Sequence, residues 1–319
     1  MFFKTAGIEV APWIPPLVAF AISFFTSMGG VSGAFLLLPF QMSFLGYTAP
    51  SVSATNQLFN IVAIPSGVWR YYREGRMVWP LTLVVIVGTL PGVFIGAIVR
   101  VVYLPNPNHF KLFAACVLLY IGLKMVRGLL EKNSVSINKN NSEKRCQEMG
   151  HRHRSNTADP EILNNTPLQV VKVTHFNLKR LNYTFYDETF SVPFWGIFTL
   201  SFMVGIGGGI YGIGGGSIIA PFLITFFELP VYTVAGAALM GTFVTSVAGV
   251  AFYQGIALYY PNMSVAPDWF LGLLFGVGGM AGMYLGARCQ KFVPAKLIKW
   301  MLAAVIVFTA LKYVIDFLV

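Results

Sequence analysis

Residues 207–216 read Gly-Gly-Gly-Ile-Tyr-Gly-Ile-Gly-Gly-Gly, inside a hydrophobic stretch that runs on to Pro221. A weaker copy lies 182 residues earlier: Gly30, Gly33, Pro39 and Phe40 match Gly212, Gly215, Pro221 and Phe222. Glycine is the poorest ordinary helix former and the residue most free to adopt positive φ. Such runs, placed twice in apolar segments of lipid-crossing length, imply two broken helices at corresponding positions of a duplicated membrane protein. Broken helices of this kind build ion and solute sites near the middle of a bilayer.

Composition agrees with that class. The 319 residues are 56% hydrophobic and 11% charged, with a mean hydropathy of +0.68. A soluble domain carries about 25% charged residues. Residues 131–190 hold nine Lys/Arg and seven Asp/Glu, which leaves thirteen and five for the rest. The net charge of +10 therefore belongs mainly to the membrane part. It reads as topology and anion attraction, and nucleic acid is not an expected partner. Cys116, Cys146 and Cys289 are scattered, which excludes a disulfide framework or zinc spacing. The first hydrophobic segment reads as a retained span, not a cleaved leader.

Apolar segments near the ~20 residues of a membrane crossing lie at about 52–69, 78–99, 110–127, 232–254, 268–287 and 297–318. The stretches 11–46 and 192–229 are too long for one crossing and carry glycines in their middles. Each is expected to form two short helices joined at the glycines. The duplication continues beyond them. Gly92, Gly96 and Ala97 match Gly282, Gly286 and Ala287, and Lys111, Ala115 and Leu123 match Lys299, Ala303 and Leu311. The expected fold is an all-α polytopic membrane protein of two homologous halves with eight to ten membrane segments. Each half is a Gly-broken helical hairpin plus three spanning helices. The halves occupy 1–130 and 192–319, with a polar insert at 131–191.

If each hairpin returns to its starting side, each half crosses an odd net number of times and the halves are inverted. Lys/Arg placement favours this arrangement. The 70–76 turn carries Arg70, Arg73 and Arg76, and the 288–299 turn carries Arg288, Lys291, Lys296 and Lys299. With inverted halves these turns and the insert all face the cytoplasm and both termini face outward. The insert is Asn-rich at Asn138, Asn140 and Asn141. It then alternates through Val171, Val173, Phe176, Leu178, Tyr183 and Phe185, which predicts a short β-hairpin against the cytoplasmic face.

The glycine segments offer freed backbone N–H groups and half-helices, starting near Ser32 and near Gly214, whose positive dipole ends suit an anion. The candidate binding residues are Gly30, Ser32 and Gly33 in the first copy and Gly212, Gly214, Gly215, Gly216 and Ser217 in the second. Asn56 and Asn60 share one face of the following helix, with Gly67, and Ser53 beside it. Thr242, Thr245 and Ser246 share the equivalent face, with Gly249. Neutral donors suit an oxyanion that must be released again. Interhelical hydrogen bonding is the competing reading of these polar faces, and Ser32 and Ser217 also fit helix caps. Arg70 is a candidate for guiding anions or gating, against the plainer reading of a snorkelling arginine. Gly92/Gly96 and Gly282/Gly286, at GxxxG spacing, read as close helix packing.

No Asp or Glu lies at mid-span, and Glu228 and Asp268 sit at helix ends. There is no nucleophile–base constellation, P-loop or dinucleotide fingerprint, so no enzyme, cofactor or metal is expected. The doubled Gly-rich hairpin ending at Pro39 and Pro221, the Ser53-Ala-Thr-Asn-Gln segment, and Leu90-Pro-Gly92…Gly96 with Gly282…Gly286 resemble the sulfite exporter TauE/SafE family. The resemblance covers 11–130 and 192–318. The first glycine copy departs from the pattern at Val31, Ser32 and Ala34. The family resemblance implies permeation of sulfite, organosulfonates or related anions. The expectation is thus a secondary transporter of a small sulfur oxyanion in a bacterial-type cell inner membrane. Its partners are the anion, the lipid bilayer and, as a compatible assembly, a second copy in a homodimer. The competing readings are an anion channel and a sulfur-relay component using the three cysteines.

Overall fold

The computed structural model describes residues 1–28, 31–73, 75, 77–130, 171–177, 179–185, 188–217, 219–227, 229–289, 300, 303–304, 307–308, 310–311 and 313–315. Gly30, Arg76, Cys146, Leu178, Glu228, the Asn-rich part of the insert and the 290–299 turn lie outside them. A small hairpin, β1 (Phe2–Phe3) and β2 (Ile8–Glu9), opens the chain. The first half is α1 (Ile14–Met28), α2 (Ala34–Ser43), α3 (Ser51–Arg73), α4 (Trp79–Val102) and α5 (Pro107–Leu130). Strands β3 (Val171–Phe176), β4 (Arg180–Phe185) and β5 (Glu188–Pro193) lead into α6 (Phe194–Tyr211), α7 (Ile219–Phe226), α8 (Val231–Ile256) and α9 (Trp269–Cys289). Described positions between 300 and 315 are also helical. Among the described residues, four helices, 79–102, 194–211, 233–259 and 269–289, are long and apolar enough to cross a membrane.

The two long apolar stretches do break at their glycines, giving α1–α2 and α6–α7. Gly212 has φ +75° and ends α6 as a left-handed cap, its N–H donating to Gly208 O at 2.9 Å. Gly214, at φ +77°, keeps the chain out of helix. The second half-helix therefore starts at Ile219, later than the Gly214 expected from the pattern. The glycine run thus divides in two. Gly207–Gly209 are still helical, and Gly212–Gly216 form the break. In the first copy the N-cap of α2 is Gly33, which has no side-chain cap, and Ser32 just before it accepts the Ala34 N–H on its Oγ at 3.2 Å. With ten and eight residues, α2 and α7 reach ~15 and ~12 Å at 1.5 Å per residue.

Glycines set the helix directions. A Cβ on Gly88, Gly92 or Gly96 of α4 would strike Ser201, the Phe202 carbonyl or the Ile206 carbonyl of α6, in the same order along both chains. So α4 and α6 run parallel in backbone contact. Gly278, Gly282 and Gly286 of α9 meet the carbonyls of Pro16, Phe20 and Phe24 of α1 in the same parallel fashion. The Gly92–Phe202 and Gly282–Phe20 contacts are related by the sequence offsets of the duplication. Helix α3 is parallel to α9, through Leu58–Gly272 and Val62–Gly276. Helix α8 is parallel to α4, through Val85–Gly241 and Phe94–Phe252. Helices α3 and α8 cross antiparallel, with Gln57 on Gly249, Gly67 on Leu239 and Tyr71 on Gly236.

The insert contains three antiparallel strands, in order β3-β4-β5, where the sequence suggests a hairpin. The third strand is hard to read in the sequence because its alternation is short and runs into the helix: Phe190 and Val192 point inward between exposed Thr189, Ser191 and Pro193. Leu181, Tyr183 and Phe185 are buried, and Tyr183 Oη pairs with Thr233 Oγ1 at the start of α8, 3.0 Å away. Burial pushes the Tyr183 hydroxyl above its ordinary pKa, against that hydrogen bond, so it stays neutral.

Candidate functional site

Each hairpin tip lies against the middle of a long polar-faced helix. The first tip meets α3, where the Ser32 hydroxyl donates to Asn60 Oδ1. The second meets α8. There the Gly215 N–H donates to Thr245 Oγ1 at 3.2 Å, and Ser217 Oγ lies 3.3 Å from Thr242 Oγ1. A Cβ on Gly214 would come within 2.9 Å of Ser246 Oγ, and one on Gly216 would collide with the Ala238 carbonyl. Glycine is required here by close approach to α8 and, at Gly212 and Gly214, by positive φ.

The two halves join through asparagine. Asn60 Nδ2 donates to Ile213 O at 2.9 Å and to Ser246 Oγ at 3.2 Å. Asn56 Nδ2 donates to Ala34 O at 3.0 Å and to Gly212 O at 3.1 Å, and Asn56 Oδ1 accepts from Gln41 Nε2 at 3.3 Å. Both amide hydrogens of each asparagine are therefore engaged, and each residue ties the second tip to α3. Tyr211 Oη adds a bond to Phe35 O at 3.4 Å.

Other donors are left over. The N–H groups of Gly33, Gly214, Gly216 and Ser217, all on buried residues, have no acceptor among the described residues. Neither amide atom of Gln57, nor the Ser23 or Ser201 hydroxyl, has a hydrogen-bond partner among the described residues. Buried polar groups are nearly always paired, so these unmatched ones set the tips apart from the rest of the interior. Of the side chains near the tips, Ser32, Asn56, Asn60, Thr242, Thr245 and Ser246 are wholly buried. No three His, Cys, Asp or Glu residues come together among the described residues.

The structure thus brings together Ser32, Gly33, Asn56, Asn60, Gly212, Gly214, Gly215, Gly216, Ser217, Thr242, Thr245 and Ser246. Gly30 lies outside the described residues. Arg70 is half-buried near the end of α3, ~15 Å along the helix from Asn60 at 1.5 Å per residue. It stands apart from the tips. Gly92, Gly96, Gly282 and Gly286 pack backbone against backbone. Cys116 is exposed on α5, and Cys289 is half-buried at the end of α9. Sequence reasoning missed Gln41, Gln57, Ser23 and Ser201. An amide inside an apolar helix was the available signal for the two glutamines. The serines gave none.

A family model described as sulfite exporter TauE/SafE matches residues 16–313. The chain is also similar to a protein described as "Probable membrane transporter protein YdhB" of Bacillus subtilis (strain 168). The two are 28% identical over 119 residues, which is 37% of this chain and 45% of that protein. The match thus spans less than half of the curated relative. No solved structure matches.

Proposed function

The chain belongs to the sulfite exporter TauE/SafE family, and we propose that it is a secondary transporter moving sulfite, an organosulfonate or a related small sulfur oxyanion across the cytoplasmic membrane by alternating access. The observation that carries this reading is the cluster of backbone N–H groups at the two hairpin tips that, among the described residues, are buried with neither an acceptor nor a carboxylate beside them. Such donors replace an anion's hydration shell without the tight grip of a fixed cation beside it. Asn56 and Asn60 hold the tips in register for that task. Thr242, Thr245, Ser246 and Ser217 line the second tip.

Helix directions support inverted halves. Duplication pairs α3 with α8, and these two run antiparallel. It pairs α1 with α6 and α4 with α9, and α1 and α9 share the direction of α3 while α4 and α6 share that of α8. Two halves related in this way can rock against each other about the α3–α8 crossing and expose the tips to either side in turn. The short α2 and α7 fit hairpins that re-enter.

Flux of labelled sulfite and methanesulfonate into proteoliposomes tests the proposal. Saturable flux with counter-flow by unlabelled anion is expected. Absence of flux for both anions would refute it, and unitary currents would replace the carrier with a channel.

A further inference from the structure

Among the described residues, Arg100 and Asp268 are the buried charged side chains. Asp268 is accounted for: its Oδ1 accepts the Leu271 N–H and its Oδ2 the Ala6 N–H. Arg100, in the last turn of α4, is not. Its Nη1 donates to Leu104 O, and its Cζ lies 3.8 Å from the centre of the Phe110 ring. Among the described residues its Nε and Nη2 have no acceptor, and no carboxylate pairs with it. A buried guanidinium costs several kcal/mol unless an opposite charge compensates it. A bond from one nitrogen to a helix-end carbonyl could be made by almost any donor and leaves the planar fork unused.

Tyr253 of α8 packs in one cluster with Ala97 and Val101, which flank Arg100 along α4, and with Ala54, next to Ser53 on α3, and it donates its hydroxyl to Gly209 O at 3.4 Å. One turn along α3 from Ser53 is Gln57, packed on Gly249 with both amide atoms unmatched. One turn further is Asn60, bonded to the second tip, and a Cβ on Gly212 of that tip would strike Ser53. Along α3, Ser53, Gln57 and Asn60 therefore set polar side chains between Tyr253 and the glycine break, beside the apolar cluster of Ala54, Ala97, Val101 and Val265. On the other side of the break the antiparallel α3–α8 crossing is apolar, closed by Ile64, Tyr71, Met77, Ala235, Leu239 and Met283.

We propose that Arg100 is an anion-capturing station at the end of the molecule opposite the Arg70/Arg73 loop, from which the anion passes Tyr253, Ser53 and Gln57 to the hairpin tips. The ligand class is a small oxyanion with two oxygens that can face Nε and Nη2 side by side, as sulfite and sulfonates can. The inference rests on the transport reading, and one experiment separates the two. Purified wild-type protein, Arg100→Gln and Arg100→Lys are titrated with sulfite and with methanesulfonate in chloride buffer, following binding by equilibrium dialysis. Wild type should bind one of the probes, Arg100→Gln at least tenfold more weakly, and Arg100→Lys in between, because lysine keeps the charge but not the fork. Wild-type binding with unchanged affinity in both variants overturns the Arg100 station and leaves the transport reading standing. No binding to wild type overturns both. Should Arg100→Gln fail to fold, Arg100→Lys decides alone: weakened binding supports the station, and unchanged affinity overturns it.

Discussion

Gly207 and Gly214 belong to one glycine run yet answer to different physics. Gly214 sits at φ +77° with Ser246 Oγ 2.9 Å from where a Cβ would stand. An L residue there costs roughly 1–2 kcal/mol in backbone strain alone. The tip would have to shift away from α8, which would misalign the N–H groups around it. Gly207 is helical, with nothing within 4 Å of its Cβ position, so alanine there should be neutral or slightly stabilising. We expect Gly214→Ala to lose at least tenfold in sulfite flux with normal membrane insertion, while Gly207→Ala transports like wild type. Equal flux in the two would return the whole run to a packing role. Asn60 gives a second test at this scale. Asn60→Ala removes one partner each from Ile213 O, Ser246 Oγ and Ser32 Oγ, and Ile213 O and Ser32 Oγ keep bonds to Ser217 Oγ and the Ala34 N–H. Leaving one buried polar group unpaired costs about 1–3 kcal/mol. A lowered melting temperature in detergent should therefore accompany lost flux, and an unchanged melting temperature would show that Asn60 does not hold the tip.

Between elements, close helix approach does what the tips alone cannot. Along α4, Gly92 and Gly96 let α6 come near enough that Gly96 also packs on Gly209, just before the break. A large side chain at Gly96 would push α6 off α4 and carry the second tip with it. Gly96→Leu should lower both the melting temperature and the flux, whereas Gly255→Leu, whose Cβ position is clear of neighbours within 4 Å, should lower neither. Flux retained in Gly96→Leu would mean that the tip is held from the α8 side alone. These two elements also show what sequence makes legible. The helix breaks could be read because glycine density beside proline is a local signal, and the glycine pairs because small residues at i, i+4 have one common use in membranes. The start of α7 was missed by several residues, because two glycines with positive φ extend the break past the point where density suggested helix. The asparagine bonds join positions 153 and 156 residues apart. The Arg100 environment likewise draws on α4, α5 and α8 together. No local pattern encodes either. Sequence left Asn56 and Asn60 open between anion donors and interhelical hydrogen bonds, and only the folded chain reveals which carbonyls occupy them.

For the molecule as a whole, helix direction turns charge into orientation. Helices α3 and α9 run parallel and end in Arg70/Arg73 and Arg288. Helix α5 ends near Arg127, and the sheet that carries Lys179 and Arg180 joins the start of α6, where Phe194 N–H bonds Lys179 O. Because α6 runs opposite to α3, these basic groups gather at one end. The other end holds the β1–β2 hairpin, the ends of α4 and α8, and Lys4, Glu9 and Asp268. Cytoplasmic loops carry the Lys/Arg excess, so the Arg70/Lys179 end should face the cytoplasm and the Arg100 end the outside. Leu258, exposed just after α8, and Lys179, exposed on the sheet, then lie on opposite sides of the membrane. In a background with Cys116, Cys146 and Cys289 replaced by serine, an impermeant thiol reagent applied to intact cells should label Leu258→Cys at once. It should label Lys179→Cys only after permeabilisation. The reverse pattern would invert the molecule and make Arg100 the cytoplasmic station. Labelling of both in intact cells would contradict the antiparallel crossing of α3 and α8. The same cysteine-free protein should retain sulfite flux, because the tips and the polar α3–α8 crossing contain no thiol. Loss of flux there would instead favour a sulfur relay through the cysteines.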